Sequence, residues 1–513
     1  MLLIAAWPVL PLTLLIFVAW MPLLKVAEHT KRPIFFGHVF LACLLWNTGT
    51  TWWMWNSTDI GTVAAILTES LLMTMPWWGY HIFRSRYGKR NAYLSLICFW
   101  MAYEYINLNW QLSWPWLTLG NVFASHPDWV QWYEYTGAGG GTLLILLVNI
   151  GLYELLHAYR IKTYTRKTFF TAGLILLVPI ASLLFTWYHY SNATVNTAKH
   201  NVVIVQPNVD PYTKFNTATI EQDIIRMTHL SEAQIDTATR LILWPETAMS
   251  LKDWQSNVAS NAYYSSVFAM TSRHPGATLL SGIETMRFYG KEKVTPTAGK
   301  TSQGDYVDDF NAAVLIHSGD FLRFYNKSKL VPGVESMPSF LSFMAPVFEK
   351  FGGTTSGYGR DPESSVFSIA GSDYVAAPII CYESVYGEYV GSYVKKGATL
   401  LTIITNDGWW GNTPGHKQHL AYASLRAIET RRWVARSANT GISAVIDEHG
   451  HIVETRGWNE ATTLKYSIPA LTGTTFYVRF GDYLFKIATV IALLLILGHC
   501  IQKIRTRFKR SSK

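Results

Sequence analysis

The sequence predicts a bundle of membrane-spanning helices carrying one large, layered α/β domain. Three observations predict it. The chain of 513 residues is 49% hydrophobic and 15% charged, and its long uncharged runs are confined to roughly the first 190 residues and a stretch near the C-terminus. Between those regions, short β-branched runs alternate with amphipathic segments, as in a water-exposed globular domain. Lys and Arg are also spread unequally over the short loops, which gives the bundle a direction. The expected organisation is an N-terminal helix bundle over 1–190 with about six spans, an extracytoplasmic domain over 191–481, and a final helix with a basic cytoplasmic tail over 482–513.

Seven runs are long enough, at about 20 residues each, to cross a hydrocarbon core ~30 Å thick. They lie near 3–24, 36–55, 59–82, 91–108, 138–158, 168–190 and 482–502. The first lacks the basic n-region and small-residue cleavage site of a signal peptide. Trp52, Trp53, Trp77 and Trp78 at the ends of runs suit an interfacial aromatic belt. The small residues of "GAGGG" (137–141) open a span and permit close helix packing.

The loops with Lys25, Lys31 and Arg32, with Arg84, Arg86, Lys89 and Arg90, and with Arg160, Lys162, Arg166 and Lys167 are basic, as is the tail after the last span. The alternating loops around 56–58 and 109–135 hold no Lys or Arg. By the positive-inside rule the basic loops and tail are cytoplasmic and the 191–481 domain faces outward. The net charge of +9 is thereby explained as topology, without a nucleic-acid partner. This orientation leaves Met1 outside, so either the start is unusual or an upstream helix is absent from this version of the chain.

In the outward domain, "VVIVQPN" (202–208), "LILWPET" (241–247), "TLLSGIE" (278–284), "AAVLIHS" (312–318), "YVAAPIICYE" (374–383), "LLTIITND" (400–407) and "ISAVIDE" (442–448) read as strands. The stretches 217–238, 253–273 and 415–436 read as helices with polar faces. Some neighbouring strands look hairpin-linked, which favours a layered α/β sandwich over a doubly wound sheet. No G-x-G-x-x-G or P-loop follows a strand.

The cysteines are Cys43, Cys98, Cys381 and Cys500, and only Cys381 lies outside the predicted spans. It has no disulfide partner in its domain, so it is either a small core hydrophobe or a nucleophile. A thiol nucleophile needs a base and positive charge aimed at its oxyanion. The pair His416 and His419 in "HKQH" has i,i+3 spacing, but without nearby carboxylates it reads as a helix surface, and no metal site is expected. Two other segments offer more. Glu246 ends the strand of "LILWPET", and Lys327, Lys329 and Glu335 share the loop "YNKSKLVPGVE". Singly, each reads as ordinary surface solvation; together, carboxylate, ammonium and thiol at the ends of three strands form a constellation.

Glu in "WPET", Lys in "YNKSKLVP" and Cys in "ICYES" resemble the Glu-Lys-Cys triad of the nitrilase (carbon-nitrogen hydrolase) superfamily. With the flanking spans, with "YEYINLNWQLSWPWLTLGN" and with "ITNDGWWGNTPGHKQHLAYASLRAIETRRWVARSANTGISAVID", nearly the whole chain resembles the apolipoprotein N-acyltransferase family. The resemblance implies an α-β-β-α nitrilase-like sandwich and an acyltransferase with Glu246 as general base, Lys327 as oxyanion-stabilising cation and Cys381 as nucleophile. It also implies supporting roles for Glu335, eight residues after Lys327, and for Tyr382 and Glu383, with the Tyr382 N–H as a second oxyanion donor. Lys327 is preferred to Lys329 on that spacing. Two features depart from the family: its common "PFGE" reads "PGVE" at 332–335, and the chain has seven spans where eight are usual.

The implied reaction is ping-pong. An acyl chain passes from a phospholipid to Cys381 as a thioester, then to the α-amine of a diacylated apolipoprotein. The implied setting is a monomer in the bacterial inner membrane, its catalytic domain facing the periplasm and no cofactor required. Trp110, Trp114 and Trp116 of the outer loop and the apolar 337–351 segment are candidate gates or lids, with interfacial anchoring as the alternative. Glu104, on a span, is a further gate candidate, since intramembrane carboxylates are costly; a helix-packing hydrogen bond is its alternative. Two rival readings share the chain: a membrane-tethered amidase that uses water as second nucleophile, and a non-catalytic membrane scaffold.

Overall fold

The computed structural model describes residues 1–191, 199–338 and 357–511. It divides into two compact units. One comprises Met1–Trp52, Gly61–Trp187 and Asp482–Lys513; the other comprises Trp53–Ile60 and Tyr188–Gly481.

The first unit is helical. Among the described residues, five helices are long and apolar enough to cross a membrane: Arg32–Asn56, Asp59–Tyr87, Ala138–Arg160, Arg166–Tyr188 and Tyr483–Phe508. The helix Lys89–Asn109 occupies the place of another expected span. Cys98 and Ala102 on it pack against Ala492, so the C-terminal helix completes the same unit as the N-terminal ones. The predicted first span is not one helix. Helix Leu2–Ala6, a 3-10 turn Thr13–Phe17 and helix Met21–His29 replace it. Pro8 and Pro11 lack the N–H that a continuous helix requires and fall between the first two pieces. The expected aromatic belt is also corrected in part. Trp53 and Trp77 are fully buried, and Trp77 joins Trp20, Trp46 and Trp100 in an aromatic cluster whose rings lie 5.0–5.7 Å from Trp20. The helix that "GAGGG" opens is packed tightly: a Cβ on Gly141 would fall 1.8 Å from the Tyr133 hydroxyl.

The second unit is a four-layer sandwich. Its strands are β1 (His200–Gln206), β2 (Thr239–Leu243), β3 (Met249–Trp254), β4 (Thr278–Gly290), β5 (Gly299–Lys300), β6 (Tyr306–Ile316), β7 (Arg323–Asn326), β8 (Phe367–Ser368), β9 (Val375–Ile380), β10 (Leu400–Thr405), β11 (Val434–Ala438), β12 (Ala444–Ile446), β13 (Ile452–Thr455) and β14 (Thr462–Ile468). One sheet runs β14-β1-β2-β4-β6-β5, with β3 paired to β4 and β7 to β6; the other runs β13-β12-β11-β10-β9-β8.

Alternation along β1 shows the layering. Val202 and Ile204 join Leu241, Ile379, Ile403 and Val434 in a core shared by both sheets. Val203 and Val205 face the other way, against Ile220, Ile224 and Met227 of helix Thr217–Glu232 and Val267 of helix Ser265–Arg273. Helices Gly387–Lys395 and Pro414–Thr430 cover the second sheet through Val390, Tyr393, Leu420 and Ala423. Fully burying a Val, Leu, Ile or Met side chain contributes about 1.5–3 kcal/mol.

The seven predicted strands are present. The predicted helix 253–273 is not: its first residues end β3, two 3-10 turns follow, and only Ser265–Arg273 is helical. The helix predicted over 415–436 stops at Thr430, capped by Arg431 in the left-handed region, which frees Val434–Ala438 to form β11.

Candidate active site

β2 delivers Glu246. The strand is followed by the buried Trp244, whose Nε1 donates to Ser231 Oγ at 2.9 Å, and Pro245 then turns the chain. Thr247 sits in the left-handed region at φ 48°. This turn lies directly on Gly282 of β4, whose N–H donates to the Pro245 carbonyl at 3.1 Å. A Cβ at 282 would lie 2.4 Å from Thr247 N and 2.6 Å from Glu246 Cα, so only glycine permits the approach.

β6 and β7 deliver the cation. The Lys327 N–H donates to Asn311 O at 2.9 Å, and the Lys327 side chain is 1% exposed. Its ammonium donates to Glu246 Oε1 at 3.0 Å and to Glu335 Oε1 at 2.8 Å. Asn311 Nδ2 bridges the same two oxygens at 2.8 and 3.0 Å. Glu335 is fixed from behind by the Val331 N–H at 2.8 Å, within a tight turn where Gly333 has φ 80°. "PGVE" therefore brings Glu335 onto Lys327. Lys329 points elsewhere, over the rings of Tyr386 and Tyr389 at 5.1 and 5.5 Å.

β9 delivers Cys381 from the second sheet. The strand stops at Ile380, and Cys381 opens a 3-10 turn in the left-handed region at φ 49°. A non-glycine residue held there stores backbone strain of order 1–3 kcal/mol, which surrounding contacts must offset. They are present. The Cys381 carbonyl accepts from Ser384 Oγ at 2.7 Å and lies 3.2 Å from His419 Nε2. His419 Nδ1 is 2.9 Å from Asp407 Oδ1, and Arg436 Nη2 donates to Asp407 Oδ2 at 2.6 Å. The Asp407, His419 and Arg436 side chains are wholly buried, so the surface reading of "HKQH" is corrected. The helix carries both histidines inward, His419 against the nucleophile turn and His416 against the Trp458 ring at 4.3 Å.

The two sheets meet at Glu246. Its Oε2 accepts the Asn406 N–H at 3.1 Å, and Asn406 follows β10, the strand paired in parallel with β9. Glu383 ties the Lys327 loop to the Cys381 turn. One of its oxygens accepts from Tyr325 Oη at 2.6 Å and from the Ser328 and Lys329 N–H groups at 2.7 and 3.2 Å; the other accepts from the Ile380 N–H at 2.9 Å. Tyr382 is buried next to the nucleophile, its ring 5.3 Å from that of Tyr386.

Electrostatics assign the resting charges. Burial pushes the Glu246 carboxyl up, but the Lys327 ammonium and the Asn311 hydrogen bond outweigh it and hold it below its ordinary value. Burial works against the Lys327 charge, yet Glu246 and Glu335 keep that ammonium well above the usual lysine range. Burial and the Glu246 charge push the Cys381 thiol well up, and Lys327 opposes them only partly. The resting site thus holds a carboxylate, an ammonium and a protonated thiol, which calls for a base at the moment of attack.

Glu246, Lys327, Glu335, Cys381, Tyr382 and Glu383 all lie in this unit. The gate candidates Glu104, Trp114 and Trp116 lie in the helical one. There, Glu104 accepts from Trp100 Nε1 at 2.9 Å, the Leu119 N–H at 2.8 Å and Thr142 Oγ1 at 2.7 Å, which is the packing alternative. Trp114 and Trp116 stack at 5.4 Å, and Trp116 is fully buried. Apart from Met337 and Pro338, the lid candidate 337–351 lies outside the described residues. Sequence reasoning missed Asn311, Asn406, Gly282 and Asp407 as site residues. A signal existed for Asn311, a polar residue inside an apolar strand, and for Asn406 and Asp407, polar residues ending the apolar run "LLTIITND"; Gly282 had none of its own.

Residues 201–476 match the carbon-nitrogen hydrolase family, and residues 1–151 match the apolipoprotein N-acyltransferase N-terminal domain. An apolipoprotein N-acyltransferase from Chlorobaculum tepidum is 30% identical over 97% of this chain and 94% of its own length. One from Thermotoga maritima is 26% identical over 85% of this chain and 76% of its own. Among solved structures, an amidase of the nitrilase superfamily from Nesterenkonia sp. AN1 aligns over 57% of this chain and 96% of its own, with 18% identity and a TM-score of 0.34. The chain belongs to the apolipoprotein N-acyltransferase family, in which a carbon-nitrogen hydrolase domain is joined to membrane helices.

Proposed function

We propose that this chain moves a fatty acyl group from a membrane phospholipid, through a thioester on Cys381, to the α-amine of an N-terminal diacylglyceryl-cysteine of a lipoprotein. The observation that carries the reading is the Lys327 ammonium clamped between Glu246 and Glu335 beside a buried thiol, in a chain that matches acyltransferases nearly end to end. Glu246 takes the thiol proton as sulfur attacks the ester carbonyl. Lys327 and the Tyr382 N–H hold the oxyanion. The carbon–oxygen bond then breaks, and Glu246 returns its proton to the departing lysophospholipid oxygen. In the second half, the acceptor amine attacks the thioester, an amide forms and the Cys381 thiol is regenerated, so both substrates use one site in turn.

Glu335 sets the position of Lys327, and Glu383 sets the distance between the cation loop and the nucleophile turn. The basic loops and tail support placement in a bacterial inner membrane with the α/β domain in the periplasm.

The test is intact-protein mass after incubating the detergent-purified chain with a defined phospholipid, beside Cys381→Ala. A gain of one acyl group, labile to hydroxylamine and absent in the variant, is expected. Added diacylated lipopeptide should then remove it as an amide. Absence of the adduct in folded protein would sink phospholipid as donor, and discharge to water in place of the lipopeptide would favour the amidase reading.

A further inference from the structure

Lys214 lies in "PYTKF", between β1 and helix Thr217–Glu232, and is 4% exposed. Its Nζ donates to the main-chain oxygen of Glu246 at 3.2 Å and also to the Thr247 hydroxyl. Its own carbonyl accepts from Ser250 Oγ at 2.8 Å. The lysine is therefore tied to both ends of the turn that follows β2. Among the described residues no carboxylate pairs with it directly; Glu246, Glu284, Asp223 and Cys381 act on its charge from further off. A buried ammonium costs several kcal/mol unless its surroundings compensate. Here the compensation is a carbonyl and a hydroxyl belonging to the two residues that aim the base.

We propose that Lys214 is a positioning residue for Glu246, holding the left-handed turn at Thr247 in place while its charge favours the ionised base. This rests on reading Glu246 as the general base. Two cations then act on that carboxylate: Lys327 by direct contact, shared with Glu335, and Lys214 through space from its bond to the Glu246 main chain. Gly282 already excludes any displacement of the turn toward β4. Lys214 ties the same turn to the segment before helix Thr217–Glu232. Burial lowers the Lys214 ammonium to about 8 against the pull of Glu246, Glu284 and Asp223, so its charge is lost within an accessible pH range.

The experiment measures the rate of Cys381 thioester formation from phospholipid against pH for the full chain, Lys214→Met, Lys214→Arg and Glu246→Gln. Lys214→Met should acylate on the order of 10²-fold more slowly, as for a displaced catalytic group. Its acidic limb should move to higher pH, because one cation that keeps Glu246 ionised is gone. Lys214→Arg should recover rate, keep the acidic limb in place and lose the alkaline decline near pH 8 expected of the parent. A slow Lys214→Met with an unmoved acidic limb would leave only a packing role and overturn the proposal, as would an unchanged rate. If Lys214→Met does not fold, an alkaline decline in Lys214→Arg at the parent's midpoint overturns it. Glu246→Gln separates the two readings. Retained acylation there removes the base assignment itself, whereas lost acylation beside an unaffected Lys214→Met removes only the role of Lys214.

Discussion

Glu246, Lys327 and Glu335 put two carboxylates and one ammonium into a space with almost no water, and the order of their charges follows from distance. Because Lys327 lies 3.0 Å from Glu246, that carboxyl stays ionised below its ordinary range. Thioester formation in the parent should therefore hold its rate as pH falls through the usual glutamate value of about 4.3 and decline only below it. A pH–rate profile of Cys381 acylation checks this, and an acidic limb near 6 would contradict it. Lys327→Met reverses the sign of the stability linkage. In the parent, the depressed Glu246 adds stability that is lost at low pH; in the variant, Glu246 is buried without the ammonium that held it down, so its carboxyl is raised and stability is lost as pH rises. Melting curves at several pH values should show the variant weaker by about 3–5 kcal/mol near neutrality and recovering in acid. Gly282→Ala should also cost activity, since its Cβ would meet the Glu246 backbone at 2.6 Å; acylation should drop on the order of 10²-fold with phospholipid affinity kept. The structure brings together Glu246 and Lys327, which the sequence offered with Cys381 only as a set, since each alone reads as an ordinary residue. Gly282 and Lys214 were not legible in the sequence, because their roles exist only across the sheet.

The element that makes Cys381 reachable is a five-residue 3-10 turn, and its support comes from a different element, helix Pro414–Thr430. His419 on that helix touches the Cys381 carbonyl and Ser384 Oγ at 3.2 and 2.9 Å, while Asp407 holds its other nitrogen. His419→Leu should leave the Asp407 carboxylate and the carbonyl short of partners, at about 1–3 kcal/mol for each buried group. His419→Gln can still offer an N–H near the former Nε2. Thermal unfolding and thioester rates should rank parent, Gln and then Leu; a Leu variant equal to the parent in both would remove the turn-supporting role. Sequence reading put His419 on a surface because spacing alone does not say which helix face meets the core. The same limit explains β3, β7 and β11, short strands set by pairing with β4, β6 and β10 rather than by a long apolar run of their own.

At the scale of the whole chain, five of the seven predicted apolar runs are, among the described residues, helices long and apolar enough to cross a membrane, and the breaks in the first run were not foreseen, since Pro8 and Pro11 count little in a hydropathy window but interrupt a helix outright. The C-terminal helix belongs with the N-terminal bundle, so along the chain the α/β unit lies between helices of one bundle, and its proposed side of the membrane rests on the charge of the loops around them. Those loops concentrate Lys and Arg at 25–32, 84–90 and 160–167, and the tail adds more. Orientation is therefore a charge argument open to a direct check. In a background with Cys43, Cys98, Cys381 and Cys500 replaced, Lys291→Cys places a single thiol at an exposed position of the α/β unit, and Lys503→Cys places one in the basic tail. A membrane-impermeant maleimide applied to spheroplasts should label position 291 at once and position 503 only after lysis. The opposite pattern would put Cys381 in the cytoplasm, away from the amines of exported lipoproteins, and the proposed acceptor would have to be abandoned even if the thioester formed.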